Sequence, residues 1–270
     1  MAFIPQRIKI LKFVAEQGVV TVDNVARHLR KINQIPAIRT ALHDCGLSHT
    51  KYEDIRQGIW FIENQSLLSQ LKSYYFPYIP TFEAARPRLY LVDHALELNR
   101  IRITLEQTDQ IVIESWWSEA YIRALSFRLP GGNPIAKDKI PDAIMWRRRT
   151  DGSKQIFFLE YERTFKNKER YKDIFRFYAQ REDVKNRNVI YLCQDVFLKT
   201  QLEELEAKFA KTGELEGTGL FFQFIALEDF YKTYLNNNSK QEEGNGQTQK
   251  IIQTANASML SIGSGTLADL

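Results

Sequence analysis

Cysteine is nearly missing from the 270 residues: Cys45 and Cys193 are the two present. They lie far apart, with no neighbours at metal-ligand spacing, which argues against a disulfide framework or a zinc knuckle and leaves two buried thiols. Long apolar runs are also lacking. No stretch approaches the length needed to cross a bilayer, and Met1 to Ile10 carries Arg7 and Lys9 without the apolar core of a signal peptide, so the expectation is a cytoplasmic protein with no membrane partner. Histidine is scarce: His28, His43 and His49 lack metal-site spacing, and His94 reads as a packed or hydrogen-bonded helix residue. There is no glycine-rich phosphate loop, because the glycines of Pro130 to Pro134 are flanked by prolines and precede no clear helix. No Ser-His-Asp or Cys-His arrangement stands out.

What is present suits a globular chain of one large or two ordinary domains: 44% of residues are hydrophobic and 12% aromatic, ample for packed cores. The net charge of +4 is mild, but its placement is uneven. Residues 1 to 62 hold nine Lys and Arg against five Asp and Glu, an excess of four that matches the whole-chain value.

That N-terminal stretch shows three helical patterns. Ile8, Leu11, Phe13, Val14 and Ala15 form a stripe ended by Gly18; Val25, Ala26 and Leu29 follow a cap at Thr21 or Asp23; Ile38, Ala41, Leu42 and Cys45 follow Pro36 and end at Gly46. Two short strands, Leu47 to His49 and Ile59 to Ile62, are joined by a polar hairpin. Three helices and a hairpin of this length match the winged-helix plan, in which the third helix enters the major groove of double-stranded DNA. Its outward residues would be Arg39, Thr40 and His43, with Lys51 and Arg56 on the wing and Arg27, Arg30 and Lys31 adding to the basic surface. The same plan also serves protein contacts.

A connector over 64–88, with Pro77, Pro80 and Pro87 and an aromatic run, is expected to be extended with little structure of its own. An α/β (α+β) domain follows over 89–235: a helix from Leu89, a strand ending at Trp117, a short helix over 118–127, a polar loop, then the central stretch from Ile140 to Tyr178. That stretch reads as a strand, a turn at Asp151-Gly152, a second strand and a helix. Alternation puts Glu160 and Glu162 on one face with Tyr161 opposite, and pairing brings Asp142 to the same place. Strand, helix and strand then alternate, implying at least one parallel pairing. Residues 236–270 are rich in Asn, Gln, Gly, Ser and Thr and are expected to be disordered.

Five pieces, VDHALELNRIRITLE, WWSE, IPDAIM, LEYERT and KERYKDIFRFY, lie within residues 90 to 195. In this order they resemble the replication-relaxation family of plasmid and mobile-element proteins. The resemblance implies a winged helix ahead of a PD-(D/E)xK nuclease-like mixed sheet. It also implies a role in plasmid replication, DNA relaxation or conjugative mobilisation, with other transfer or replication proteins as partners. Carried over by residue, Asp142 and Glu160 would bind Mg2+ or Mn2+, with Glu97 as a further acid. The lysine that usually stands two residues after the second acid is replaced by Glu162, leaving Lys166 or Lys168 to reach in. Arg147 and Arg148 would grip phosphates or keep an edge hairpin soluble. Three readings of the acids follow: an endonuclease, a degenerate core kept for binding, or solvated strand-end carboxylates balanced by nearby cations.

Overall fold

A computed structural model describes residues 6–51, 58–75, 89–108, 113–119, 122, 140–148, 152, 154–180 and 188–239. The polar hairpin containing Arg56, most of the Asp151-Gly152 turn, the expected helix and loop over 120–139 apart from Ile122, and residues 240–270 lie outside these. Among the described residues no helix is long and apolar enough to cross a membrane.

The first helix, α1 (Gln6–Gln17), buries Ile10, Leu11, Phe13 and Val14. Gly18 stops it in the left-handed region at φ 76°, its N–H donating to the Val14 carbonyl at 2.8 Å. A two-residue strand β1 (Val20–Thr21) leads into α2 (Val22–His28). Thr21 is the cap, accepting from the Asn24 N–H while the Asn24 side chain accepts from the Thr21 N–H. Helix α3 (Ile35–Asp44), with Pro36 in its first turn, buries Ile38 and Leu42. Strands β2 (Ser48–Thr50) and β3 (Ile59–Phe61) close an antiparallel sheet in the order β1-β3-β2.

Where extended chain was expected, Gln65–Tyr75 forms a further helix, α4. Leu68 and Leu71 lie on one helical face and join the α1–α3 core, a local period that the prolines and aromatics from Pro77 onward had masked.

The second body is a five-stranded mixed sheet ordered β4-β5-β6-β7-β8, so the fold is mixed α+β. Its strands are β4 (Ile113–Ser118), β5 (Ala143–Arg148), β6 (Lys154–Glu162), β7 (Asn188–Cys193) and β8 (Phe221–Ala226). The first three pair antiparallel and the last three parallel. Helices α6 (Lys168–Ala179) and α7 (Val196–Ala210) cover one face through Tyr171, Phe175, Tyr178, Leu198 and Leu202. The other face packs on α5 (Leu89–Gln107) and on α8 (Leu227–Ser239) through Leu98, Ile101, Leu227 and Phe230. Helix α8 was absent from the sequence reading, and its last turn overlaps the stretch from Asn236 that composition had marked as disordered.

Helix α5 touches both bodies. Ile103 joins the α1–α3 core and Val92 packs with Val19, Ile59 and Phe61, while Leu98, Ile101 and Leu105 line the large sheet. The Asn99 amide donates to the Val19 carbonyl at 2.7 Å. An ionic chain, buried at Glu16 and Arg102 and half-buried at Glu106 and His28, completes the joint: Arg102 donates to Glu16 and to Glu106, and Glu106 meets His28 Nδ1, each at 2.7 Å. The Arg102 guanidinium also lies over Phe13 and Trp116, a desolvated setting in which cation–π attraction is strongest.

Candidate functional site

Three acids gather where β5 begins and β6 ends, in the middle of the large sheet, because of strand register. Ala143 pairs with Leu159, which sets Asp142 beside Glu160, and alternation along β6 returns Glu162 to the same face. Tyr161 projects the other way, into the α5 and α8 layer.

Each carboxylate already has a protein donor. Asp142 Oδ2 accepts from the Tyr161 N–H at 2.7 Å, and His94 Nε2 lies 3.0 Å from Oδ1. The imidazole stacks on the Tyr161 ring with centroids 5.2 Å apart. Burial pulls the His94 pKa down, but the Asp142 hydrogen bond and the charges of Asp142, Glu119 and Glu162 outweigh it, leaving a net rise. The Tyr178 hydroxyl donates to Glu160 Oε1 at 2.6 Å. Burial nevertheless pushes the Glu160 carboxyl well above the usual range, and neighbouring Asp142 adds to this. Glu162, 3% exposed, accepts from Lys166 Nζ at 2.7 Å; burial raises its pKa, with Lys166 opposing. Lys166 is held in turn, its backbone N–H donating to the Tyr171 hydroxyl at 3.2 Å.

A cation therefore does reach the acids, from the loop between β6 and α6. It is Lys166; Lys168 is exposed at the first position of α6. Glu97 lies one turn along α5 from His94, but its carboxylate accepts from the Tyr231 hydroxyl and pairs with Arg100 at 3.2 Å. Oxygen donors of this kind suit Mg2+ or Mn2+. As arranged, Asp142, Glu160 and Glu162 each face a different protein donor. Among the described residues no group of three or more His, Cys, Asp or Glu side chains is placed to hold an ion.

The partners that sequence reasoning missed were partly visible in it. Tyr171 and Tyr178 are seven residues apart, two helical turns, so one face of α6 carries both toward the sheet. Their contact with Glu162 and Glu160 depends on the crossover that lays α6 over β6, which no local pattern encodes.

The basic residues divide into outward and inward sets. Arg39, Thr40 and His43 are exposed on α3, and Lys51 is exposed just beyond β2. His43 meets the Trp60 ring edge-on at 4.5 Å, and His49 packs on the same ring at 4.6 Å. Burial lowers the His49 pKa, and the charges of His43 and Arg39 lower it further, as a concentration of positive charge requires. Arg27 pairs with Asp23 at 2.7 Å and Lys31 donates to Gln6 at 2.6 Å. Arg30, in the left-handed region at φ 55°, turns back to donate to the Glu106 carbonyl at 3.2 Å. Arg148 pairs with Glu114. Arg147 lies on the sheet face opposite the acids, lining a cavity with Leu105, Met145 and Tyr234, and so is not brought to them. Comparison of the chain with protein-family models, with curated proteins and with solved structures returned no match.

Proposed function

We propose that the chain is a DNA-binding accessory protein of a plasmid or other mobile element, in which a winged helix holds duplex DNA and a nuclease-like sheet domain adds contacts or recruits partners. The observation that carries this is the exposed set Arg39, Thr40, His43 and Lys51 on the third helix and the adjoining hairpin of the small body. Three helices with a β1-β3-β2 sheet are consistent with a winged helix. The resemblance of residues 90 to 195 to replication-relaxation proteins supports the mobile-element setting. The PD-(D/E)xK likeness rests on Asp142 and Glu160 meeting across β5 and β6, and the internal donors on all three acids favour a core used for binding.

Electrophoretic mobility shifts with duplex DNA at low salt test the reading. Wild type is expected to form a complex that Arg39→Ala and Lys51→Ala weaken; unchanged affinity in both variants overturns it.

A second reading is a divalent-metal-dependent endonuclease, and the specific feature in its favour is Lys166 reaching the acid cluster. Nicking of supercoiled plasmid by wild type in Mg2+ or Mn2+, abolished in Asp142→Ala and Glu160→Ala, would establish it. Absence of metal-dependent nicking in wild type, or nicking that survives both substitutions, would dismiss it.

A further inference from the structure

Strands β6 and β7 run parallel and end side by side, with Glu162 paired to Cys193. Helices α6 and α7 both lie on the same sheet face and both start from this edge, so the N-terminal turns of the two helices flank the strand ends. The joint is fixed by hydrogen bonds. The Gln194 N–H donates to the Glu162 carbonyl at 2.8 Å, the Tyr161 hydroxyl donates to Gln194 Oε1 at 2.6 Å, and Asp195 caps α7 through the Leu198 N–H at 2.8 Å.

Directly after that cap stand the two most exposed large apolar residues among those described, Val196 at 55% and Phe197 at 72%. They are outside the stripe that holds α7 to the sheet, which is Leu198, Leu202, Leu205 and Phe209. Across the edge Arg163, Lys168 and Arg170 are exposed, and none of them is in an ion pair among the described residues. Of the acids nearby, Glu169 is engaged by Lys172, Asp195 caps α7, Glu162 is held by Lys166, Glu160 accepts from Tyr178, and Asp142 accepts from the Tyr161 N–H beside His94. The adjacent ends of β6 and β7 thus lead into an exposed aromatic ring on one side and exposed cations on the other, of which Arg170 also acts on Glu162.

We propose that this edge takes an unpaired nucleic-acid strand, one base stacking on Phe197 while the phosphates meet Arg163, Lys168 and Arg170. A ring standing free of the surface offers a stacking platform, and cations alongside it track a backbone; together they form the usual receptor for single strands. Within a duplex the base faces are covered by their neighbours, so Phe197 engages only a strand that has been opened. The charge favours phosphate over an acidic-residue-free apolar partner surface. This inference rests on the DNA-binding reading, and adds a second contact with a different preference to the α3 surface.

The test is fluorescence anisotropy of the full chain with a labelled duplex and with the same duplex carrying a fork of unpaired thymidines. Wild type is expected to bind the fork more tightly. Phe197→Ala should lose about 5- to 150-fold on the fork, the usual range for one stacked base, with duplex affinity changed less than about twofold. Phe197→Trp should restore fork binding and show quenched indole emission when the fork is added. Equal affinity of wild type for fork and duplex, or a fork affinity untouched by Phe197→Ala, overturns the proposal while leaving duplex binding in place. Failure to bind either DNA overturns both. A change confined to self-association in sedimentation would instead mark Phe197 as a protein interface and also overturn it.

Discussion

Replacing Glu106 by glutamine removes one charge from the ionic chain Glu16, Arg102, Glu106 and His28 that joins the small body to the large sheet through α5. Burial alone would raise the Glu106 pKa; the His28 hydrogen bond and the charges of Arg102 and His28 prevail and lower it from 4.5 to about 2. At 1.36 kcal/mol per pH unit, that displacement is worth about 3 kcal/mol. Because the folded-state pKa is depressed, this stability is present above pH 4.5 and is lost as pH falls toward about 2. Glu106→Gln is therefore expected to destabilise by about 3 kcal/mol at pH 7, and by about 2 kcal/mol at pH 3.5. For a chain of this size the neutral-pH loss corresponds to a Tm lower by roughly 6–12 °C. Thermal and urea melts followed by circular dichroism at both pH values measure it. A loss of equal size at pH 7 and pH 3.5 would show that packing carries the effect; no loss at pH 7 would refute the ionic account of the joint.

Three further outcomes follow from the acid site. Glu160→Gln keeps an oxygen to accept from Tyr178 while removing a carboxylate that burial disfavours. Since the Glu160 pKa is raised, wild type loses stability as pH climbs above the usual carboxylate range, so the variant should melt higher than wild type at pH 8 and alike at pH 4; a lower melt at pH 8 would contradict this. Asp142→Asn removes the hydrogen bond and charge that hold the His94 pKa up, leaving burial to lower it; NMR titration of the His94 ring should show a midpoint below that of wild type, and an unchanged midpoint would deny the contact. Tyr178→Phe strips the donor from a buried Glu160 and should cost about 1–3 kcal/mol in urea melts, with no cost if water replaces the hydroxyl.

The elements were legible wherever period and punctuation agreed. Gly18 and Gly46 ended helices as glycine does, and β6 alternated so that Glu160 and Glu162 shared a face. Strand register then brought Asp142 to them as the hairpin turn implied. Helix α4 was obscured because the prolines and aromatics beyond it dominated the composition, and α8 because polar Asn residues close to its end resembled a tail. Less of the site could be read. His94, Tyr171 and Tyr178 meet the acids across 9 to 48 residues of chain, Arg147 turns away by the parity of β5, and Glu97 is drawn off by Tyr231 from a helix the sequence had not disclosed. Contacts of that range follow from how layers stack.

The central claim is that the exposed cations of α3 and its hairpin bind the backbone of duplex DNA. Its most direct test is the salt dependence of duplex affinity for wild type and for the Arg39→Ala, Lys51→Ala double variant. Each cation lost from a phosphate contact should reduce the slope of log affinity against log salt by about 0.9, so the double variant should fall by about 2. Parallel lines for the two proteins, or wild-type affinity with no salt dependence, would contradict the claim.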